Sequence, residues 1–328
     1  MLAESELENQ SLAGLVVHLP RFIINSREDA TVKAYFYGHG QWRDWAQWHH
    51  LTPTPADPLS FALFMLYKFQ MGSSYSACRV VFYGVKYVHR LFNHADPTTH
   101  PLPVNMLEAA KRLDRHSVQR KEPLTPSMFR RLYYELMLRS RSLEDVRTMV
   151  FVTLGYCGFM RFQEIVGVRK GDVVFGRGFF KVFVEKSKTD VYREGRWLFV
   201  SSGQSVCPVE IVSCYLKMCG KALNRDDSFI FRGLTKSRLS CHLRLANKPL
   251  CYGTLRRHFL NAIRRIGEPT KSFGTHSLRS GGASAAANNG VPDRLFKRHG
   301  RWKTDRAKDM YVKDNVRQLL SVSRSLGL

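Results

Sequence analysis

The chain has 328 residues, and its 51 lysines and arginines outnumber its 27 acids, for a net charge of +24. So large an excess points to a polyanionic partner, nucleic acid first and an anionic membrane surface second. No apolar run is long enough to span a bilayer, and the first twenty residues carry three glutamates without an early basic cluster, unlike a signal peptide.

Residues 1–25 read as an arm, with Leu12 to Leu19 apolar and Pro20 breaking the run. A helical domain is expected over 26–115. Ser26 to Asp29 resembles a helix start with early acids. The helix that follows, to about His49, carries Val32, Tyr35, Phe36, Trp42, Trp45 and Trp48, read as core packing, with base stacking as the alternative. Gly38 and Gly40 should weaken its middle. Leu59 to Met71 reads as a buried helix. From Tyr75 to Phe92, Cys78, Val81, Val85, Val88 and Phe92 form one apolar stripe. Arg79, Lys86 and Arg90 align on another face, suited to tracking phosphates or simply to solvent. Pro97, Pro101 and Pro103 should bound a loop before a short helix from Asn105 to Arg115.

A basic, aperiodic stretch over 116–124 reads as a linker, and a second domain fills 125–328. Helices are expected over Met128 to Arg139 and Ser142 to Cys157, the second with a Ser142/Asp145 capping box. The run GYCGFMRFQEIV then puts Arg161 at a helix start with Glu164 three residues on. Phe179 to Val184 and Trp197 to Val200 are strand-like. The turn between them holds Lys186 and Lys188. Pro208 to Gly220 and Ser228 to Arg232 read as scaffold, and Arg232 to Arg244 with Lys248 as a basic loop near DNA. Tyr252 to Gly267 is a helix carrying Arg256, Arg257, Arg264 and Arg265.

Thr275 to Tyr311 is the most informative stretch: THSLRSGGAS, RHGRWKT and DMY. His276 and Arg279, three apart on a helix, can point at one spot. The small residues from Ser280 to Ala287 let that helix lie close to a neighbour. Asn289-Gly290 stops it, and a short helix from Pro292 to about His299 follows. A phosphodiester under attack gains negative charge on its non-bridging oxygens, which the fixed fork of an arginine matches. A tyrosine hydroxyl can attack the phosphorus and hold it as an ester, helped by nearby positive charge.

These motifs resemble the tyrosine recombinase (phage integrase) superfamily. There an H-x-x-R box is followed by a His or Trp, and nine residues later by the nucleophilic Tyr. Trp302 stands nine residues before Tyr311, while His299 is three residues too early. LRSGGAS and VPDRLFKRHGRW look most like integrases of eukaryotic mobile elements, the DIRS, Ngaro and crypton groups.

The resemblance implies a mainly α (α+β) fold, a helical DNA-clamping domain followed by a mixed catalytic domain with a small antiparallel sheet. It implies six catalytic residues: Arg161, Lys188 (or Lys186), His276, Arg279, Trp302 and Tyr311. Arg161 and Arg279 would bind the scissile phosphate, His276 assist proton transfer, Trp302 pack on the tyrosine segment, and the lysine protonate the departing 5′ oxygen. Bond energy is kept in a 3′-phosphotyrosyl ester, so no metal and no cofactor is expected. Arg79, Lys86, Arg90, Arg256, Arg257, Arg301 and Lys303 are the expected contacts to double-stranded DNA.

After Tyr311, Val316, Leu319, Leu320 and Val322 make an apolar tail at helical spacing. In the family such a tail docks on a neighbouring protomer, so a homo-oligomer, dimeric on one site and tetrameric in synapsis, is expected. Packing on its own domain is the alternative. Nuclear residence follows from the mobile-element resemblance. A retired DNA-binding derivative and a topoisomerase-like relaxing enzyme are the rival functions. The seven cysteines are odd in number and lack a C-x-x-C, which fits free thiols. Cys214, Cys219, Cys241, His242 and Cys251 match no zinc-finger spacing.

Overall fold

The computed structural model describes the chain except residues 1–13, 16–17, 19–20, 116–119, 187–193, 238–239 and 328. It divides into two units, Met1–Val118 and Gln119–Leu328.

Among the described residues the first unit is built on the helices α1 (Asp29–Trp48), α2 (Pro58–Gln70), α3 (Tyr75–Leu91) and α4 (Pro101–Leu113). Asp57 caps α2 by accepting from the Ser60 N–H at 2.8 Å, and Ser74 caps α3. The core gathers Trp42, Phe61, Phe64, Met65, Val81 and Val85. Gly38 and Gly84 are close-approach points rather than weak spots. A Cβ on Gly38 would lie 2.5 Å from the Val80 carbonyl oxygen, and one on Gly84 2.4 Å from that of Tyr35. Helices α1 and α3 therefore meet backbone to backbone. The α1 aromatics split. Trp42 is fully buried, with its indole N–H donating to Pro53 O at 2.8 Å, while Trp48 is 81 % exposed.

Two expectations are corrected here. Helix α4 begins at Pro101, earlier than expected, because a proline at the first helical position lacks only an N–H that would be unpaired anyway. The basic stripe of α3 is also not wholly free. Lys86 and Arg90 both reach Asp96, at 4.0 and 3.1 Å, and only Arg79 lies exposed outside that pairing.

In the second unit, α5 (Pro126–Tyr133) runs into a π-helical turn, Tyr134–Ser140. Next come α6 (Leu143–Cys157), capped by Ser142, and α7 (Phe162–Val166). Strands β1 (Val173–Gly176), β2 (Phe179–Val184) and β3 (Arg196–Ser201) form an antiparallel sheet in that order. Phe180, Val182, Val184, Leu198 and Val200 turn inward and join the main core with Val150, Phe151, Ile211, Phe259 and Leu278.

Helix α8 (Pro208–Cys219) is followed by a two-stranded hairpin, β4 (Leu234–Lys236) and β5 (Cys241–Leu243), where a basic loop was expected. Arg232 is no DNA contact. It is 3 % exposed, and its guanidinium donates to the carbonyls of Ala222 and Leu245. Arg147 on α6, equally buried, donates to Arg232 O at 2.6 Å.

The rest is helical: α9 (Tyr252–Arg265), α10 (His276–Asn288), α11 (Asp293–Gly300), α12 (Asp305–Asp309) and α13 (Val316–Arg324). Arg265 is held by Glu135 and Asp145. On α13, Val316, Leu319, Leu320 and Val322 are 44 to 70 % exposed, so the tail does not bury its apolar side on its own unit. The fold is mainly helical with small antiparallel sheets, the class expected from the motifs. Among the described residues no helix is long and apolar enough to cross a membrane. None of their His, Cys, Asp and Glu side chains groups in threes or more to hold a metal.

Candidate active site

Arg161 follows the turn that joins α6 to α7. Phe159 in that turn has φ 47°, a left-handed conformation that costs a non-glycine residue strain. Packing and hydrogen bonds hold it there. Its ring lies among Phe296, His299 and Trp302, and its carbonyl accepts from both Arg279 and Arg301. Arg161 then stands as the N-cap of α7. The Glu164 carboxylate accepts from its backbone N–H at 2.9 Å and from its Nη1 at 2.8 Å.

Glu164 is almost wholly enclosed, with a side-chain exposure of 2 %, and also takes Arg301 Nη2 at 2.7 Å. Burial alone would raise this carboxyl. Arg301, the Arg161 N–H, the Arg161 charge and Arg279 outweigh burial and hold it below its ordinary value.

Arg279 projects inward from α10 and is 1 % exposed. Its Nη1 donates to Phe159 O and its Nη2 to Gly300 O at 2.6 Å. Its Cζ sits 4.7 Å from the Trp302 ring centroid and 4.9 Å from that of Tyr311. Burial, then the charges of Arg161 and Arg301, bring this guanidinium down to about 9, with Glu164 and Tyr311 acting the other way. His276, one turn earlier, is exposed at the start of α10, so the H-x-x-R pair spans the site's surface and its floor.

Two glycines let α10 lie this deep. A Cβ on Gly281 would fall 2.2 Å from Leu124 O, and one on Gly282 1.9 Å from Tyr156 O.

Trp302 is 6 % exposed and packs on Phe159, Phe296 and Tyr311, with ring centroids 5.1 to 5.9 Å apart. Its indole N–H is buried and makes no hydrogen bond. Tyr311 is half-buried beside it. The tyrosine segment is fastened to α10 of the same chain. Ser284 Oγ accepts from Lys313 N at 2.9 Å, and Asn288 bonds Lys313 O and Asn315 N at 3.1 Å each.

His299, too early in sequence for the Trp302 position, bonds the Cys157 carbonyl at 2.8 Å and stacks edge-on against Phe159. Burial, only partly opposed by the Cys157 bond and reinforced by Arg301 and Arg279, keeps its imidazole below the ordinary value. It acts as a neutral tie between α11 and the end of α6.

Arg301 corrects an expectation. It was assigned to DNA, yet its side chain is only 7 % exposed and its fork is filled by Glu164 and by the carbonyls of Gly158, Phe159 and His299. Lys303, Arg256 and Arg257 are exposed. Lys188 lies outside the described residues, and Lys186 is exposed just after β2.

Arg161 and Arg301 thus pair with the buried Glu164, and Arg279, tied like Arg301 to the Phe159 carbonyl, stacks on Trp302 and Tyr311. Residues 122–318 match the phage integrase family. The chain belongs to that family. As a phage integrase family member it is 22 % identical to the integrase/recombinase XerD homologue of Selenomonas ruminantium, over 95 % of this chain and 89 % of that protein. Its fold is similar to a lambda integrase (residues 75–356) dimer bound to a core site, at a TM-score of 0.57 and 16 % identity, covering 93 % of this chain and 96 % of that one. It is also similar to XerH recombinase in a post-cleavage complex with a palindromic difH substrate, at a TM-score of 0.58 and 12 % identity, covering 89 % and 78 %.

The sequence did not single out Phe159, Ser284, Asn288 or the structural role of Arg301. Nothing in their spacing marks them, since each acts through residues remote in the chain.

Proposed function

We propose that this integrase-family protein is a site-specific DNA recombinase that cuts and rejoins strands through Tyr311. The observation that carries the reading is the stacking of Arg279 on Tyr311 and Trp302, beside an Arg161 held by a buried carboxylate.

Arg161 and Arg279 hold the non-bridging oxygens of the scissile phosphate, and Arg279 exchanges its two carbonyl partners for them. Trp302 adds its unused indole N–H. The Tyr311 oxygen attacks phosphorus while its proton passes toward His276. The bond to the 5′ oxygen breaks, and Lys188, or Lys186, protonates that oxygen. The products are a 3′-phosphotyrosyl ester and a free 5′ hydroxyl. Attack by another strand's 5′ hydroxyl reverses the step.

Double-stranded DNA is the partner, contacted by Arg79, Arg256, Arg257 and Lys303, with Lys86 and Arg90 reaching it only on leaving Asp96. The names of similar structures, lambda integrase dimers and a tetramer on DNA, support assembly on DNA. The exposed apolar side of α13 supports its docking on a second copy. A groove of about 1210 Å³, lined by Leu295, Phe296, Trp197 and Phe199 with basic Arg294 and Arg298, has room for it. A role in a mobile element, of the DIRS, Ngaro or crypton kind, and a nuclear location complete the reading. Similarity to the Tn1549 transposon integrase, at a TM-score of 0.50 and 11 % identity, is consistent with a mobile element.

The test is covalent capture. Nicked duplexes with randomised cores are incubated with the protein, and DNA that stays attached after denaturation is sequenced. The reading requires an adduct through Tyr311 at the 3′ phosphate of a recurring sequence. No adduct with any duplex would favour a retired DNA-binding derivative.

A further inference from the structure

We infer that Arg301 is a positioning residue: it neutralises Glu164 so that Arg161 and Arg279 bring their full charge to the phosphate. The inference rests on the proposed phosphoryl-transfer reading and deepens it.

Glu164 is enclosed, so its charge is little screened by water. One oxygen accepts Arg161 Nη1 at 2.8 Å, and the other accepts Arg301 Nη2 at 2.7 Å. Without Arg301, Glu164 and Arg161 would form a closed neutral pair, leaving Arg279 as the only uncompensated charge of the cluster. With it, three guanidiniums less one carboxylate give +2. The attacked phosphodiester carries one negative charge and the tyrosine oxygen brings a second as its proton leaves. The cluster therefore matches the charge of the transition state.

Arg301 is built for this rather than for DNA. It ends α11 at φ 56°, a left-handed position where glycine is the usual residue. That conformation accompanies a side chain turned into the unit, onto Glu164 and three carbonyls. One of these, Phe159 O, is shared with Arg279. When Arg279 turns to phosphate, Arg301 keeps that carbonyl paired, which lowers the cost of the exchange.

The experiment compares wild type, R301Q, R301K and the double variant E164Q/R301Q on nicked duplexes selected for covalent capture by the wild type. Single-turnover cleavage and DNA affinity are measured separately. R301Q should cleave on the order of 10² more slowly, the scale of losing one preorganised charge donor, with DNA affinity unchanged within about threefold. E164Q/R301Q restores the +2 balance and should regain roughly tenfold or more over R301Q. A purely structural arginine predicts the opposite, since the double variant loses both partners of the bond.

A double variant no faster than R301Q would overturn the proposal, as would R301Q cleaving like wild type or losing affinity instead of rate. If R301Q lacks the native near-ultraviolet spectrum, R301K decides. It loses the fork's carbonyl bonds but keeps the charge beside Glu164, so a folded R301K should cleave within about tenfold of wild type. A folded R301K slowed on the order of 10² would refute the charge argument. Absence of any adduct with wild type would instead refute the recombinase reading, and this inference with it.

Discussion

The guanidinium carbon of Arg279 stands 4.9 Å from the centroid of the Tyr311 ring, over its face. Arg279 and Tyr311, both of the second unit, thus meet within one chain, through α10 and the segment bonded to it.

Tyr311→Phe keeps the ring and removes the oxygen. The stacking on Arg279 and Trp302 survives, so thermal stability should change by less than about 1 kcal/mol. Covalent capture on nicked duplexes should vanish, while affinity for the same DNA stays. A persistent adduct would move the nucleophile elsewhere.

The packing of Trp302 and its proposed contact to phosphate can be separated. Trp302→Phe keeps an aromatic ring but loses the unpaired indole N–H. It should cost under about 1.5 kcal/mol of stability and slow cleavage on the order of 10². Trp302→Ala opens a hole against Phe159, Phe296 and Tyr311 and should cost about 3–5 kcal/mol. Urea unfolding alongside cleavage rates separates the two effects.

The glycines of α10 are a packing requirement. Gly282→Ala would push a methyl to 1.9 Å from Tyr156 O, and Gly281→Ala one to 2.2 Å from Leu124 O, both backbone atoms that cannot yield. Each should destabilise by about 1–3 kcal/mol. Because α10 carries Arg279, cleavage should fall further than DNA affinity. Chemical denaturation and fluorescence anisotropy provide the two readings.

Removing the Ser284 fastening should release the tyrosine segment without harming the core. Ser284→Ala loses the acceptor of the Lys313 N–H, worth roughly 1 kcal/mol. Amide exchange over 311–315 should accelerate while the centre of α6 stays protected. Unchanged exchange at 313 would show that the bond does not hold the segment.

Acid should open the first unit. Burial, His89 and Arg43 bring His39 down to about 4. His89 is lowered by burial, against the Val85 bond and Asp96, with His94 acting with burial. His89 Nε2 accepts the Ala56 N–H at 2.8 Å while its Nδ1–H donates to Val85 O, so a second proton would break the first bond. The folded state binds fewer protons than the unfolded one. Stability from these groups is therefore complete above the unfolded histidine pKa, about 6.5, and falls as pH drops toward 4. The unit should lose roughly 1 kcal/mol between about pH 7.5 and 5, and His39→Gln should flatten the profile. Urea midpoints at the two pH values test this.

The sequence alone marked out a candidate site and most helices. Arg161, His276, Arg279, Trp302 and Tyr311 stood out through their match to the phage integrase motifs, and His276 and Arg279 also through lying one helix turn apart. Helices α1, α3, α6 and α10 were legible because apolar periodicity, serine caps and glycine stops are local. The depth of each group was decided only in three dimensions. Arg301 and Arg232 look like surface charges in the sequence, but chain folding puts Arg301 against a carbonyl 143 positions away and Arg232 against one ten away. Gly38 reads as a helix defect until α3 lies against it. The tail of α13 reads as an apolar stripe for a neighbouring copy or for its own unit, and only the fold shows that its own unit leaves it uncovered. Burial depends on which remote segments become neighbours, and a guanidinium binds phosphate or carbonyl according to which of them it meets.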